Sequence, residues 1–360
     1  MDASSRLDPQ EPMRNGRCSQ PILSSAGRVE AQPTRKPLDL HGLKTYDLKS
    51  RPSKVFHEDL GRPVDADATI GDWIESLPRQ LAGKDLRRVR DCLCQAYQNR
   101  RERVAAVGGH VIKTGCGPYL VDWVQRGMLS AVALNGASAI HDFELALGGK
   151  TSEDVASQLP RGQFGMVRET ADAFALAARA GAEDELGLGW ALGRYLDSLD
   201  CPYADCSVVL AAYRAGIPCT IHVAMGTDIV HMHPHVSGAA LGEATMIDFH
   251  RLCAVVCAMQ QGVWLNLGSA VVLPEVFIKA VSIAHNFGHS LEGLVTINMD
   301  KQSQYRSRVN VLERPSSQGI ELIGHHEILL PILHAAVAQK LAAATSQWSV
   351  VGGSDSNQAA

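Results

Sequence analysis

VAAVGGHVIKTGCGPYLVDWVQRGMLSAVALNGASAIHDFELALGG, Val104 to Gly149, is the stretch from which the fold is read. Two short apolar runs, Val104 to Val107 and Leu129 to Leu134, each end in small residues and give way to helical spacing. That pattern predicts two consecutive strand, turn and helix units. In an open α/β sheet the carboxyl ends of neighbouring parallel strands face one crevice, and helices starting there direct unpaired N–H groups into it. Gly108, Gly109 and His110 follow the first run, and Asn135, Gly136 and Ala137 follow the second. Lys113, His141 and Asp142 come within a turn or two of the same ends. Small residues let a flat ligand approach the backbone, so both strand ends are candidate binding positions. Tight turns in a sheet share this composition, and no GxGxxG fingerprint is present.

With 360 residues, 46% of them hydrophobic, the chain can bury a core sufficient for one large or two medium domains. A formal net charge of -4 and scattered basic residues lack the footprint of a nucleic-acid binder. Arg87-Arg88 and Arg100-Arg101 read as solvated helix faces. No stretch has the apolar length that crosses a bilayer, and the first residues carry no apolar leader, so no membrane partner and a cytoplasmic location are expected. The nine cysteines are odd in number and include no CxxC pair. Cys92, Cys94, Cys253 and Cys257 fall in apolar helical stretches, where free cysteine is a small buried hydrophobe.

Residues 1–40, rich in Ser, Pro, Gln, Asp and Arg, predict a disordered N-terminal tail, and residues 345–360 a second one. Residues 41–103 read as an arm punctuated by Pro52 and Pro63, followed by helices with a stripe at Leu86, Val89, Leu93 and Tyr97. Across residues 104–344 further strands are expected at Cys219 to Val223, Gly262 to Leu267 and Leu294 to Asn298. The last two end in Gly268-Ser269 and Met299-Asp300. Strands alternating with helices predict an α/β fold with a doubly wound, Rossmann-like parallel sheet.

In their order and spacing these pieces resemble the deoxyhypusine synthase family, NAD-dependent enzymes that move an aminobutyl group from spermidine to a protein lysine. GGHVIKTG (Gly108 to Gly115) and LNGASAIHD (Leu134 to Asp142) carry most of the resemblance, which runs from Val104 to Lys340. Ile217-Pro218, Gly268-Ser269, Ile297-Asn298 and ILLPIL (Ile328 to Leu333) add to it. The resemblance implies NAD contacts from Gly108, Gly109, His110 and Lys113 and from Asn135, Gly136 and Ala137. It further implies that Gly268, Ser269, Asn298, Met299 and Asp300 border the cofactor, and that His141, Asp142 and Asp228 lie near cofactor and amine. It also implies a homotetramer with sites between subunits. LNGASAIHDFELAL is similar, in addition, to the NAD site of archaeal-type ornithine cyclodeaminases.

The chain departs from the family where the chemistry is most specific. The position of the family's imine-forming lysine reads Gln318-Gly319-Ile320, and no lysine occurs between Lys301 and Lys340. The family's catalytic histidine falls on Pro274 or Glu275. The expectation is therefore an NAD-dependent enzyme acting on a small amine, polyamine or amino acid by transient hydride transfer, an aminoalkyl transferase or a relative of one, but not a genuine deoxyhypusine synthase. His141, Asp142, Asp228, His233 and Glu275 are its candidate acid/base groups.

Other readings of the same residues stand beside this one. His231, His233 and His235 alternate, as metal ligands on one strand face would, which suggests a metal-dependent hydrolase. Pro234 interrupts such a strand, and a polar loop over a site explains the same histidines. A non-catalytic NAD-binding sensor is the third reading. Lys279 stands four residues after Glu275, the spacing of a helical ion pair. His325-His326-Glu327 is read as the capped start of a helix.

Overall fold

The computed structural model describes residues 35–344. Of the two expected tails, residues 1–34 and 345–360 lie outside the described residues. The chain divides into two units, Met1–Ser53 and Lys54–Ala360. In the first, Asp47 caps a 3-10 turn, Leu48–Ser50, by accepting the Lys49 N–H at 2.8 Å.

The second unit begins with α1 (Ile70–Ser76), which Thr69 and Asp72 close with a reciprocal capping box, and α2 (Leu81–Gln98), whose Leu86, Val89 and Leu93 are buried. It continues through β1 (Arg103–Val107), α3 (Gly109–Lys113), α4 (Gly117–Gln125), β2 (Ala131–Asn135) and α5 (Gly136–Gly148). A helical block follows: α6 (Val155–Gln158), α7 (Arg168–Glu183), α8 (Leu188–Asp197) and α9 (Val208–Ala215). The sheet resumes with β3 (Cys219–His222), α10 (Gly238–Cys257), β4 (Val263–Leu267), α11 (Val272–Asn286) and β5 (Val295–Asp300). The last elements are α12 (Tyr305–Ser307), a π-helical segment Arg308–Glu313, β6 (Gln318–Ile323) and α13 (His326–Ala344).

All six strands are parallel, in the order β3-β2-β1-β4-β5-β6. This is a doubly wound, Rossmann-like sheet. Helices cover both faces, which is why β1, RVAAV, is a continuous apolar run after its arginine and is buried throughout. Val104, Ala106, Ala131 and Ala133 enter one core with Trp264, which stacks on Phe277 at 4.0 Å between ring centroids. Ala105, Val107, Val132, Leu134 and Leu265 enter the other. Progression along the sheet reverses between β1 and β4, so a crevice opens beyond Val107 and Leu267. Among the described residues no helix is long and apolar enough to cross a membrane.

One element differs from the sequence reading. β6 was not anticipated: an edge strand that mixes Gln318, Gly319 and Glu321 with apolar residues lacks the signal of a buried one. The Met225 to Gly238 segment is not a strand, and its middle forms a 3-10 turn, Ile229–Met232. His231, His233 and His235 therefore do not share a strand face.

Candidate functional site

The site is organised by α5, which starts at the end of β2. The Asn135 side chain caps this helix, accepting the Ser138 N–H at 2.9 Å. One face of α5, with Ala137, Ile140, His141 and Glu144, lines a cavity of about 230 Å³ together with Lys113 and Asp228. Such spacings of three and four keep side chains on one helix face. Gly109 brings α3 against that face: a Cβ on it would lie 3.1 Å from the Ala137 Cβ and 3.3 Å from the His141 Cδ2. At Gly136 a Cβ would lie 1.9 Å from Asp228 Oδ2. The absent side chain of Gly136 thus makes room for a carboxylate of the chain itself, lodged at the positive end of α5. Burial raises the pKa of Asp228, and the neighbouring His231 opposes that rise.

His141 is held by a chain of hydroxyl and carboxylate groups. Thr151 Oγ1 donates its proton to Glu144 Oε2 at 2.5 Å, and Thr170 donates to Glu144 Oε1 at 3.1 Å. With that proton committed, Thr151 Oγ1 accepts from His141 Nδ1, 2.7 Å away. The second ring nitrogen, Nε2, then carries the lone pair. Burial, aided by the charge of Lys113, lowers the His141 pKa to about 4, so the imidazole is neutral near pH 7. The cavity therefore combines a neutral imidazole, an acceptor at Nε2, with a carboxylate, a pairing suited to binding a cation.

A second polar locus occupies the reversal point of the sheet. Gly108 extends the β1 pairing by donating to the Leu267 carbonyl at 2.8 Å, and a Cβ on it would collide with the Gly268 carbonyl. Gly268 has φ +63°, a conformation that favours glycine, and a Cβ there would stand 2.8 Å from His326 Nε2. His326, at the start of α13, is 2% exposed, and neither of its ring nitrogens has a hydrogen-bond partner. Asp300 Oδ1 lies 3.8 Å from its Nε2, and the His110 ring meets it edge-on at 6.0 Å between centroids. Burial lowers the His326 pKa, with Asp300 acting the other way. Ser269, also buried, accepts the Leu273 N–H through Oγ at 3.3 Å and through its carbonyl bonds Asn266 and Ser307.

These observations divide the residues expected to hold NAD. At the ends of β1, β4 and β5 the two buried His326 ring nitrogens lack a hydrogen-bond partner, with Gly268 beside the ring, Asp300 3.8 Å from Nε2 and His110 edge-on to it. The end of β2 does not suit a phosphate. Asn135 is committed to capping, Ala137 packs on Gly109, and Gly136 is covered by the Asp228 carboxylate. Asn298 and Met299 are fully buried within the sheet, Asn298 accepting from Asn266 Nδ2 at 2.8 Å and donating to Glu321 at 3.3 Å. Neither reaches the crevice.

Three of the expected acid/base groups are engaged elsewhere. Asp142 turns away from the cavity and is buried, accepting from Ser207 Oγ at 2.6 Å, Val208 N–H at 2.7 Å and Val209 N–H at 3.2 Å. It caps α9. Glu275 pairs with Lys279 and Arg306 and accepts from Asn310 at 3.0 Å, contacts that hold its pKa below the usual glutamate range. Both of its oxygens are thus engaged, and Lys279 is spent on the ion pair. His233 Nε2 lies 2.8 Å from the Gly165 carbonyl, while His231 Nδ1 accepts the Gly226 and Asp228 N–H groups and His235 pairs with Asp172. The three histidines turn to different partners, and no group of three potential metal ligands exists among the described residues. The metal-hydrolase reading thus loses its ligand set. Conversely, Glu144 and Thr151 were not among the expected site residues, although Glu144 lies three residues after His141.

The chain matches no protein-family model and no curated protein. It is similar to several solved structures. AgrE in ternary complex with ornithine and NAD+ aligns with 14% identity and a TM-score of 0.48, over 72% of this chain and 33% of that one. A protein assigned as LOR/SDH from Methanococcus maripaludis S2 aligns with 15% identity and a TM-score of 0.45, over 77% and 72%. A protein assigned as a deoxyhypusine synthase from Entamoeba histolytica gives 9% identity and a TM-score of 0.41, over 77% and 95%. This chain spans about a third of AgrE and 31% of the cyanobacterial arginine dihydrolase ArgZ. At these values the likeness concerns the course of the backbone alone.

Proposed function

We propose that this chain is an NAD-binding enzyme acting on a small amino acid or amine. The observation that carries the reading is the Glu144–Thr151–His141 chain, which delivers an unprotonated imidazole to a cavity that also contains Asp228. Asp228 holds the substrate ammonium, and the neutral His141 accepts a hydrogen bond from it at Nε2. Lys113, exposed at the same cavity, pairs with a substrate carboxylate. The cavity, about 230 Å³, sets Lys113 against Glu144, Glu153 and Asp228, so it favours a small cationic ligand, and its size favours an amino acid over a long polyamine.

NAD, when bound, would accept a hydride; His110, His326, Asp300, Gly268 and Ser269 are the residues that would hold it. α3 is the wall common to both loci, with His110 toward His326 and Lys113 toward the His141 cavity. That shared wall brings the two ligands side by side. The homotetramer implied by the resemblance belongs to the same proposal.

The test is thermal melting of nucleotide-free protein with NAD, followed by NADH formation with basic amino acids and diamines. A ligand that binds only the native state adds about 2.7 kcal/mol at a hundredfold excess over Kd. His326→Ala should lose the NAD shift, whereas His141→Ala should keep it and lose turnover by about a hundredfold or more. The reading fails if NAD gives no shift. NAD binding without turnover of any amine would instead leave the sensor reading.

A further inference from the structure

Beside the His141 cavity, α5 borders a second one. Phe143, Leu147 and Gly148, with Val167 and Thr170 of the facing segment, enclose about 470 Å³. Phe143 and Leu147 are one turn apart and lie on the α5 stripe next to that of His141. The walls are mostly apolar and the volume falls in the range of small-molecule sites, about 300–1,000 Å³. The polar lining is one-sided: Glu144, Glu153 and Glu169 face Lys150, and of the three Glu169 also pairs with Arg168 at 2.9 Å. Glu144 is oriented rather than free, since the Thr151 and Thr170 hydroxyls fix both of its oxygens, and its side chain keeps 15% of its surface exposed.

We propose that this cavity is a separate binding site for a small organic ammonium ion with a compact apolar body. The apolar body lies between Phe143, Leu147 and Val167, and the ammonium lies against Glu144. An anion of the same shape meets three carboxylates there and is disfavoured. Occupancy is felt at His141, because Glu144 forms part of both cavities and reaches His141 through Thr151. The inference does not depend on NAD or on turnover in the neighbouring cavity.

The test uses the full chain without nucleotide, 2-phenylethylammonium as probe, and 3-phenylpropionate and 2-phenylethanol as comparators, read by calorimetry and by NMR of the Leu147 and Val167 methyl groups. The ammonium should bind saturably, and the carboxylate at least tenfold more weakly. Gly148→Leu should weaken binding at least tenfold without changing the melt, because a Cβ at Gly148 meets no atom within 4 Å and grows into open space. Val167→Phe, from the facing wall, repeats the test should Gly148→Leu fold poorly. Absence of saturation, equal affinity for acid and amine, or wild-type binding by both filled variants would overturn the proposal. Shifted methyl signals with an unmoved His141 ring would overturn the assignment of the ammonium to Glu144.

Discussion

Replacing Asp142 by alanine separates a role in the fold from a role in binding. The carboxylate is 1% exposed and receives the Val208 and Val209 N–H groups together with the Ser207 hydroxyl. Ser207 retains its own cap bond to the Leu210 N–H at 3.0 Å, so the substitution strands chiefly two amides at the start of α9. Each buried group left unpaired costs about 1–3 kcal/mol. Part of that is offset by removing a carboxylate that burial penalises, its pKa being pushed up to about 6. The expected net loss is about 3 kcal/mol, or roughly 5 °C in Tm for a domain of this size. Denaturant unfolding and thermal melts measure it, and calorimetry on the folded protein measures ligand affinity. Asp142→Asn, which keeps one acceptor oxygen, should fall between alanine and wild type. A loss below about 1 kcal/mol together with lost amine affinity would refute the capping assignment, because a stranded helix start cannot be that cheap.

Thr151→Val, nearly isosteric, removes the link between Glu144 and His141; turnover should drop about tenfold or more while Thr151→Ser restores it, and undiminished activity of the valine variant would remove the relay from the argument. Asp248 gives a pH signature. It is fully buried, accepts the Gly189 and Ile221 N–H groups, and burial raises its pKa to about 7. A folded-state pKa above the unfolded value means that its contribution is fully present below about pH 4 and is lost as pH rises through about 7. Asp248→Asn should therefore gain on the wild type by up to about 4 kcal/mol between about pH 4 and pH 8. Parallel stability curves for the two proteins would show that the carboxylate does not titrate in that window.

What was legible in the sequence was whatever local periodicity encodes. β1 and β2 were readable because strands covered on both faces are apolar runs, and Asn135 with the small residues after it announced the start of α5. His141 and Asp142 looked equivalent because they are adjacent. On a helix, adjacent residues point about 100° apart, and only His141 shares a face with Ala137 and Glu144. The partner that claims Asp142, the start of α9, is some 65 residues away, and no local pattern reports it. Thr151 was likewise unreadable as the link to His141, since its position depends on how the turn after α5 folds back. The alternation of His231, His233 and His235 left two readings open, a metal-binding strand face and a polar loop. It carries meaning only on a strand, and the chain forms a 3-10 turn there.

The position of Asp228 bears most directly on how the two loci share the work. In dinucleotide-binding sheets the positive start of a helix after a strand receives phosphate. At α5 that place holds a carboxylate of the chain itself, near enough that even a methyl group on Gly136 would clash with it. Two like unit charges about 4 Å apart at an effective dielectric near 20 repel by about 4 kcal/mol, so a phosphate is poorly tolerated at this strand end unless Asp228 moves or is protonated. Burial raises the Asp228 pKa and thereby increases what an incoming cation gains by approaching it. Charge thus disfavours an anion at the end of β2, and the proposed nucleotide falls instead to the ends of β1, β4 and β5, where the His326 nitrogens lack hydrogen-bond partners. The notion that small residues after a strand leave room for cofactor holds only where the chain has not already filled that room, and here Asp228 and the packing of Gly109 on Ala137 fill it at β2.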